Sequence, residues 1–86
     1  MITFEYTIHD PLGIHARPAG MLAKLAKEYA DNTISVEKDG QTVRAGQMMR
    51  LMSLAIKQGD LVKVTVSGNA EEEAAEAVRA FFEQNL

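Results

Sequence analysis

With 86 residues, a formal net charge of −3 and no cysteine, the chain is long enough for one domain with a modest core and no more. The acidic balance argues against a nucleic-acid binder, which needs a basic face, and the lack of cysteine excludes disulfides and thiolate metal sites. No apolar run approaches the roughly 18 residues of a membrane span, and the start lacks a signal-peptide pattern, so a cytoplasmic protein without membrane insertion is expected.

Ile2, Phe4, Tyr6 and Ile8 alternate with Thr3, Glu5 and Thr7, the period of a strand with one buried face. Asp10 to Gly13 reads as a loop carrying Pro11. A helix is predicted from about Ala16 to Tyr29, with Leu22, Leu25, Ala26 and Tyr29 at helical spacing and Asp31-Asn32 closing it. Ile34 and Val36 mark a second strand. Asp39-Gly40 is a hairpin signal leading into a third strand around Gln41 to Arg44. Met48, Leu51, Met52 and Ala55 predict a short helix within Gln47 to Ala55. Gly59-Asp60 then turns the chain into a fourth strand, Leu61 to Ser67, with Val62, Val64 and Val66 inward. Asn69 is the expected N-cap of the last helix, with Glu72 completing a capping-box-like pair. Glu71, Glu72 and Glu73 suit that helix's positive end. Its buried stripe is read as Ala74, Ala77, Val78 and Phe81, with Phe82 and Leu86 at the margin. The order β-α-β-β-α-β-α, with one apolar face per strand, predicts an α+β open-faced sandwich: an antiparallel sheet with its helices on one side.

The chemistry gathers at Gly13-Ile14-His15-Ala16-Arg17-Pro18-Ala19. Gly13 frees the backbone just before the first helix, and Pro18 is tolerated in a first turn, where an amide has no intrahelical partner. His15 is thereby placed beside free backbone N–H groups and the positive end of a helix dipole. That setting disfavours the imidazolium and predicts a neutral, nucleophilic ring. The same amides, those of Ala16 and Arg17, make an anion site, and the Arg17 guanidinium adds a permanent cation. A neutral ring nitrogen beside a phosphate cradle is what a transient phosphohistidine requires. His15 is therefore read as a phosphoryl acceptor and donor, although a lone histidine at a helix start is more often capping or solvated. His9 has no second ligand at metal spacing and is expected to be structural or solvated. No metal or cofactor is expected.

The run from Gly13 to Ala19 resembles the active-site signature of the HPr family, the phosphocarriers of the bacterial phosphoenolpyruvate:sugar phosphotransferase system. The Asp39-Gly40 turn, the Met52-Ser53-Leu54 segment, the Gln58-Gly59 turn and the acidic final helix also fall in the family's order, so the resemblance spans the chain. It implies strand order 1-4-2-3 with three helices on one face. It implies that the Nδ1 (pros) nitrogen of His15 carries the phosphate, that Arg17 neutralises it, and that the backbone amides of Ala16 and Arg17 hold its oxygens. The implied partners are enzyme I as donor and EIIA-type domains as acceptors. The chain is then a monomeric, stoichiometric carrier and not a turnover enzyme. A second reading keeps the family but makes the chain a regulatory protein-binding module outside sugar uptake.

The resemblance further implies an exposed apolar docking patch beside the histidine. Leu51 and Leu54 make the better buried pair of the short helix, leaving Met49 and Met52 to look outward. Met48, Met49 and Met52, with Met21 from the first helix, are the interface candidates, since flexible thioethers suit a surface that accepts several partners. Lys24, Lys27 and Arg50 could form a basic rim for acidic partners. Two positions depart from the family pattern. Leu12 stands where many members place a small polar residue that can hydrogen-bond the other ring nitrogen, so the tautomer of His15 is expected to be held by a backbone group or water. Gln47, preceded by Gly46, stands where many Gram-positive members carry a regulatory serine, and neither residue has a hydroxyl.

Overall fold

Period-two alternation in four segments builds one antiparallel sheet, and the computed structural model describes all of residues 1–86. In chain order the elements are β1 (Ile2–Thr7), α1 (Ala16–Glu28), β2 (Asn32–Lys38), β3 (Gln41–Arg44), α2 (Met48–Ser53), β4 (Leu61–Gly68) and α3 (Glu71–Asn85). The strands lie in the order β1-β4-β2-β3, as the resemblance implies. On the helix side, Val64 of β4 sits opposite Phe4 and Val36, and Val66 opposite Ile2 and Ile34. On the solvent side, Lys63 lies between Glu5 and Glu37, a cross-strand arrangement of opposite charges. Helix-facing side chains and apolar loop residues form a single core of 19 buried residues, to which Ile14, Ala45 and Ile56 contribute from outside the regular elements. No helix is long and apolar enough to cross a membrane.

The turn between β2 and β3 follows the sequence closely. Asp39 and Gly40 both take positive φ, 51° and 83°, as a type I′ hairpin turn requires. The helix ends needed correction. α1 stops at Glu28, with Tyr29 as its C-cap. α2 begins at Met48 and ends at Ser53, short of the expected Ala55, because Ala55, with φ of 53°, has left the helical region. Lys38 reaches across from β2 to donate to the Ala55 carbonyl at 2.9 Å and lies 2.9 Å from the Asp60 carboxylate. The Lys57 amide, first, and Lys38 hold the Asp60 carboxyl below its usual value.

α3 differs in its cap and its face. Ala70, not Asn69, is the N-cap residue, and it makes no side-chain cap bond. Glu72 is exposed and closes no capping box. The Ala70 amide donates instead to Oδ1 of Asn32, at the start of β2, at 3.0 Å. The buried stripe runs Ala74, Ala75, Val78, Phe82 and Leu86, while Ala77 and Phe81 are only partly covered. A step of four residues keeps 74, 78, 82 and 86 on one face. Phe82 is the anchor, meeting Phe4 and Tyr6 edge-on at ring-centroid distances of 6.1 and 5.5 Å.

Candidate functional site

The site is built on the turn that delivers the chain from β1 to α1. Asp10 begins it: its carbonyl accepts the Gly13 amide at 2.9 Å, and its Oδ1 accepts the Leu12 amide at 2.8 Å, an aspartate bonding its own turn. Gly13 has φ of 66° and presses against the Ile56–Lys57 backbone. The next residue, Ile14, is buried and donates to the Ile56 carbonyl at 3.1 Å. His15 then stands as the N-cap of α1 in extended conformation, φ −97° and ψ −174°, and its side chain makes no cap bond. Its carbonyl accepts the Ala19 amide at 2.9 Å, which closes the first turn.

The amides of Ala16 and Arg17 find no backbone acceptor, and Pro18 has none to offer. Two N–H groups are therefore free at the tip of a helix of 13 residues, next to a half-exposed imidazole. Pro18 and Ala19 are buried and hold the first turn against the core, while Arg17 is exposed. Asp10, His15, Arg17, Pro18 and Met21, with Gln84 and Asn85 from the end of α3, line one hollow of about 250 Å³. The arrangement offers a ring nitrogen, two free amides and a guanidinium to an anion arriving from solvent. No group of histidine and acidic residues is placed to hold a metal ion.

The interface candidates separate by position. Met21, 41% exposed, lies in the hollow beside His15, and Lys24 is exposed one turn further along. Lys27 is twelve residues after His15, about 18 Å down the helix axis. It lines a different hollow with Arg44 and Gln47. Met49 is the most open of the α2 methionines, at 77%, with Arg50 exposed beside it. Met48 and Met52 are only partly exposed and pack against the core, so the outward placement expected of Met52 is half met. Leu51 and Leu54 are buried, as the sequence indicates. Gln47 is the exposed N-cap of α2 and makes no side-chain cap bond. His9 is exposed, with its ring edge-on to Tyr6 at 5.6 Å, outside the hollow.

Sequence reasoning missed one contact. The polar side chain facing Nε2 of His15 does not come from position 12, where leucine has no polar atom to offer and is 71% exposed. It is the Asp10 carboxylate, with Oδ2 at 4.0 Å. The available signal was Asp10-Pro11-Leu12-Gly13 itself, a turn whose first residue bonds its own backbone and so has a fixed side chain.

The family model described as the PTS HPr component phosphorylation site matches residues 2–84. A phosphocarrier protein HPr from Mycoplasma genitalium is 38% identical over 85 residues, covering 99% of this chain and 97% of that protein. An HPr-like protein Crh from Halalkalibacterium halodurans is 43% identical over 84 residues, covering 98% and 99%. Among solved structures, an HPr from Thermoanaerobacter tengcongensis superposes with a TM-score of 0.91 at 37% identity, covering 98% of this chain and 93% of that one. A dimer of HPr from the same organism gives 0.75 at 38% identity, over 92% and 90%.

Proposed function

The chain belongs to the HPr family, and from that premise we propose that His15 takes a phosphoryl group from phospho-enzyme I and passes it to a histidine of an EIIA-type domain. The observation that carries this reading is the pairing of His15 with the unpartnered amides of Ala16 and Arg17 at one helix tip. The Nδ1 lone pair attacks phosphorus in line. The bond to the donor histidine breaks, and its electron pair stays on the donor nitrogen. The transition state is loose and its charge sits on the peripheral oxygens, so positioning and electrostatics are what the protein supplies. The two amides and Arg17 face those oxygens. In the second transfer the pair returns to Nδ1, and the carrier is regenerated. The chain is consumed and restored stoichiometrically, which makes it a carrier, working as a monomer in the cytoplasm.

Partners dock on the side of the molecule that carries His15. Met21 and Met49 supply adaptable apolar contact, Met48 and Met52 extend it where they emerge, and Lys24 and Arg50 give a cationic edge. Lys27 serves only a partner broad enough to reach the far end of α1.

Two expected outcomes follow from the site. Arg17→Ala removes one charge-assisted contact to the phosphoryl oxygens, worth about 1.5–3 kcal/mol, and should slow transfer by roughly 10- to 100-fold. Because Arg17 is exposed, stability should change by no more than about 0.5 kcal/mol. Single-turnover transfer from phospho-enzyme I, set beside a thermal melt, checks both, and full-rate transfer by the variant would remove Arg17 from the mechanism. Second, incubation with an HPr kinase and ATP should leave the intact mass unchanged, since Gln47 and Gly46 offer no hydroxyl at the start of α2. Ser53 lies at the other end of that helix, where its hydroxyl donates to the Arg50 carbonyl at 2.6 Å. Phosphate on Ser53 at a rate matching a serine-bearing relative would overturn that expectation.

A Crh-like identity of 43% favours a second reading, a regulatory module that docks a partner through the same surface. Phosphoryl uptake separates the two. A carrier gains an acid-labile, base-stable phosphate on mixing with phosphoenolpyruvate, magnesium and enzyme I, whereas a module acting by docking alone stays unmodified.

A further inference from the structure

We propose that Asp10 is a positioning residue for His15, which fixes the ring as the Nε2–H tautomer and so keeps the Nδ1 lone pair free for phosphorus. The inference rests on His15 being the phosphoryl acceptor, and it adds the residue that decides which of its two nitrogens can act.

Asp10 is held on all sides but one. Its amide donates to the Leu86 carbonyl at 2.9 Å, its carbonyl accepts from Gly13, and its Oδ1 accepts from Leu12. These bonds leave the carboxylate no free rotation, and the remaining oxygen, Oδ2, is the one that faces Nε2 of His15. The carboxylate is largely sheltered, with its side chain 25% exposed, against 36% for the imidazole. A separation of 4.0 Å is too long for a hydrogen bond. Contacts of this kind are commonly loose in a free protein and tighten when the partner arrives.

A carboxylate accepts hydrogen bonds and cannot donate them. The proton of a neutral imidazole is therefore drawn to the nitrogen that faces Oδ2, and the opposite nitrogen is left with its lone pair. That nitrogen is Nδ1, bonded to Cγ and so on the main-chain side of the ring, and the next two residues of that main chain carry the free amides of Ala16 and Arg17. Proton and electron pair are accounted for in each transfer. Nδ1 gives its pair to phosphorus, and the Nε2 proton stays on the ring facing Oδ2. When the phosphoryl group leaves, the pair returns to Nδ1 with no proton moved. The other charged side chain of the hollow is Arg17, and α3 contributes only the neutral Gln84 and Asn85. Asp10 is thus the one anion lining the hollow.

The turn makes Asp10→Asn an informative variant. Asparagine's Oδ1 can still accept the Leu12 amide, so its NH₂ group is turned toward the ring. An NH₂ group donates where the carboxylate accepted, which favours the opposite tautomer. The experiment is long-range ¹H–¹⁵N correlation on protein labelled at histidine, at a pH where His15 is neutral. The Nε2–H form should dominate in the parent, and Asp10→Asn should lower its ratio to the Nδ1–H form by about 5-fold or more. Unchanged amide shifts at Leu12 and Gly13 would show that the turn is intact. In the same variant, phosphoryl uptake from phospho-enzyme I should slow while docking affinity is retained. An unaltered tautomer ratio in Asp10→Asn, or an Nδ1–H form dominant in the parent, would overturn the proposal. The tautomer measurement needs no phosphoryl donor, so it decides the role of Asp10 even if the parent protein takes up no phosphate. That second result would count against the acceptor reading instead.

Discussion

His15→Ala is expected to abolish phosphoryl uptake while leaving the fold almost untouched. The loss is complete because nothing else in the hollow can replace the nucleophile. Arg17 is a permanent cation with no free electron pair, one oxygen of the Asp10 carboxylate is taken by the Leu12 amide in its own turn, and Gln84 and Asn85 have no nucleophilic nitrogen. The stability cost should be below about 1 kcal/mol for two reasons. As the N-cap of α1, His15 makes no side-chain cap bond, so removing the ring forfeits none of the usual capping energy. Its only polar partner, Asp10, is 4.0 Å away and partly solvated, and pairs of that kind contribute about 0–1 kcal/mol. Intact mass after incubation with enzyme I, magnesium and phosphoenolpyruvate reads the first half of the prediction, and a denaturant melt the second. An acid-labile phosphate on the alanine variant would place the acceptor elsewhere in the molecule and remove the basis of the proposed mechanism.

Gly13→Ala should be the most destabilising small substitution near the site. An added Cβ would lie 2.1 Å from the Ile56 carbonyl oxygen and 2.8 Å from Lys57 Cα, both backbone atoms. Side chains can rotate away from a clash, but these atoms move only with the segment that leads into β4. The positive φ of 66° adds a cost of its own, about 1–2 kcal/mol for a residue with a Cβ. Together with an overpacking cost of about 1–3 kcal/mol, the expected loss is about 2–5 kcal/mol, a large share of the roughly 5–15 kcal/mol that holds a domain folded. Gly40→Ala is the control. Gly40 also has positive φ, 83°, but nothing lies within 4 Å of its ideal Cβ, so only the conformational cost remains. Urea unfolding should give Gly13→Ala a midpoint well below that of Gly40→Ala. Equal midpoints would mean that the close approach to Ile56 carries no energy. Because Ile14 donates to that same Ile56 carbonyl and His15 is the next residue, the surviving folded Gly13→Ala should also transfer phosphoryl groups more slowly. A structural defect and a functional one would then share a single cause.

Features written within a few residues are legible in the sequence, and those that join distant residues are not. The four strands, the Asp39-Gly40 turn and the start of α1 at the Gly-Ile-His-Ala-Arg-Pro run were legible because each is written within a few residues, in a period of two, a pair of turn formers or a glycine and proline set around a histidine. The length of α2 was harder to read. Its end depends on Ala55 adopting φ of 53° and on Lys38 donating to the carbonyl there from another element, 17 residues away. No helical period carries that information. The cap of α3 failed for a similar reason: Asn69-Ala70-Glu71-Glu72 looks locally like a capping box, yet the Ala70 amide is taken by Asn32, 38 residues earlier. The same holds within the site, where His15, Arg17 and Met21 were visible as one stretch and Asp10 was not.

By itself, then, the order of residues established the element order, the single buried face of each strand and the setting of a histidine and an arginine at the start of α1, since short-range periodicity and backbone chemistry suffice for all of these. Packing alone decided which stripe of α3 meets the sheet, how Gln84 and Asn85 come to border the hollow, and that the one free oxygen of Asp10 faces the imidazole. Each of these depends on groups from separate elements meeting at a defined distance. That happens only when the core has closed around Phe82 and the valines of β4, because until then nothing holds the end of α3 and the turn before α1 in the same place.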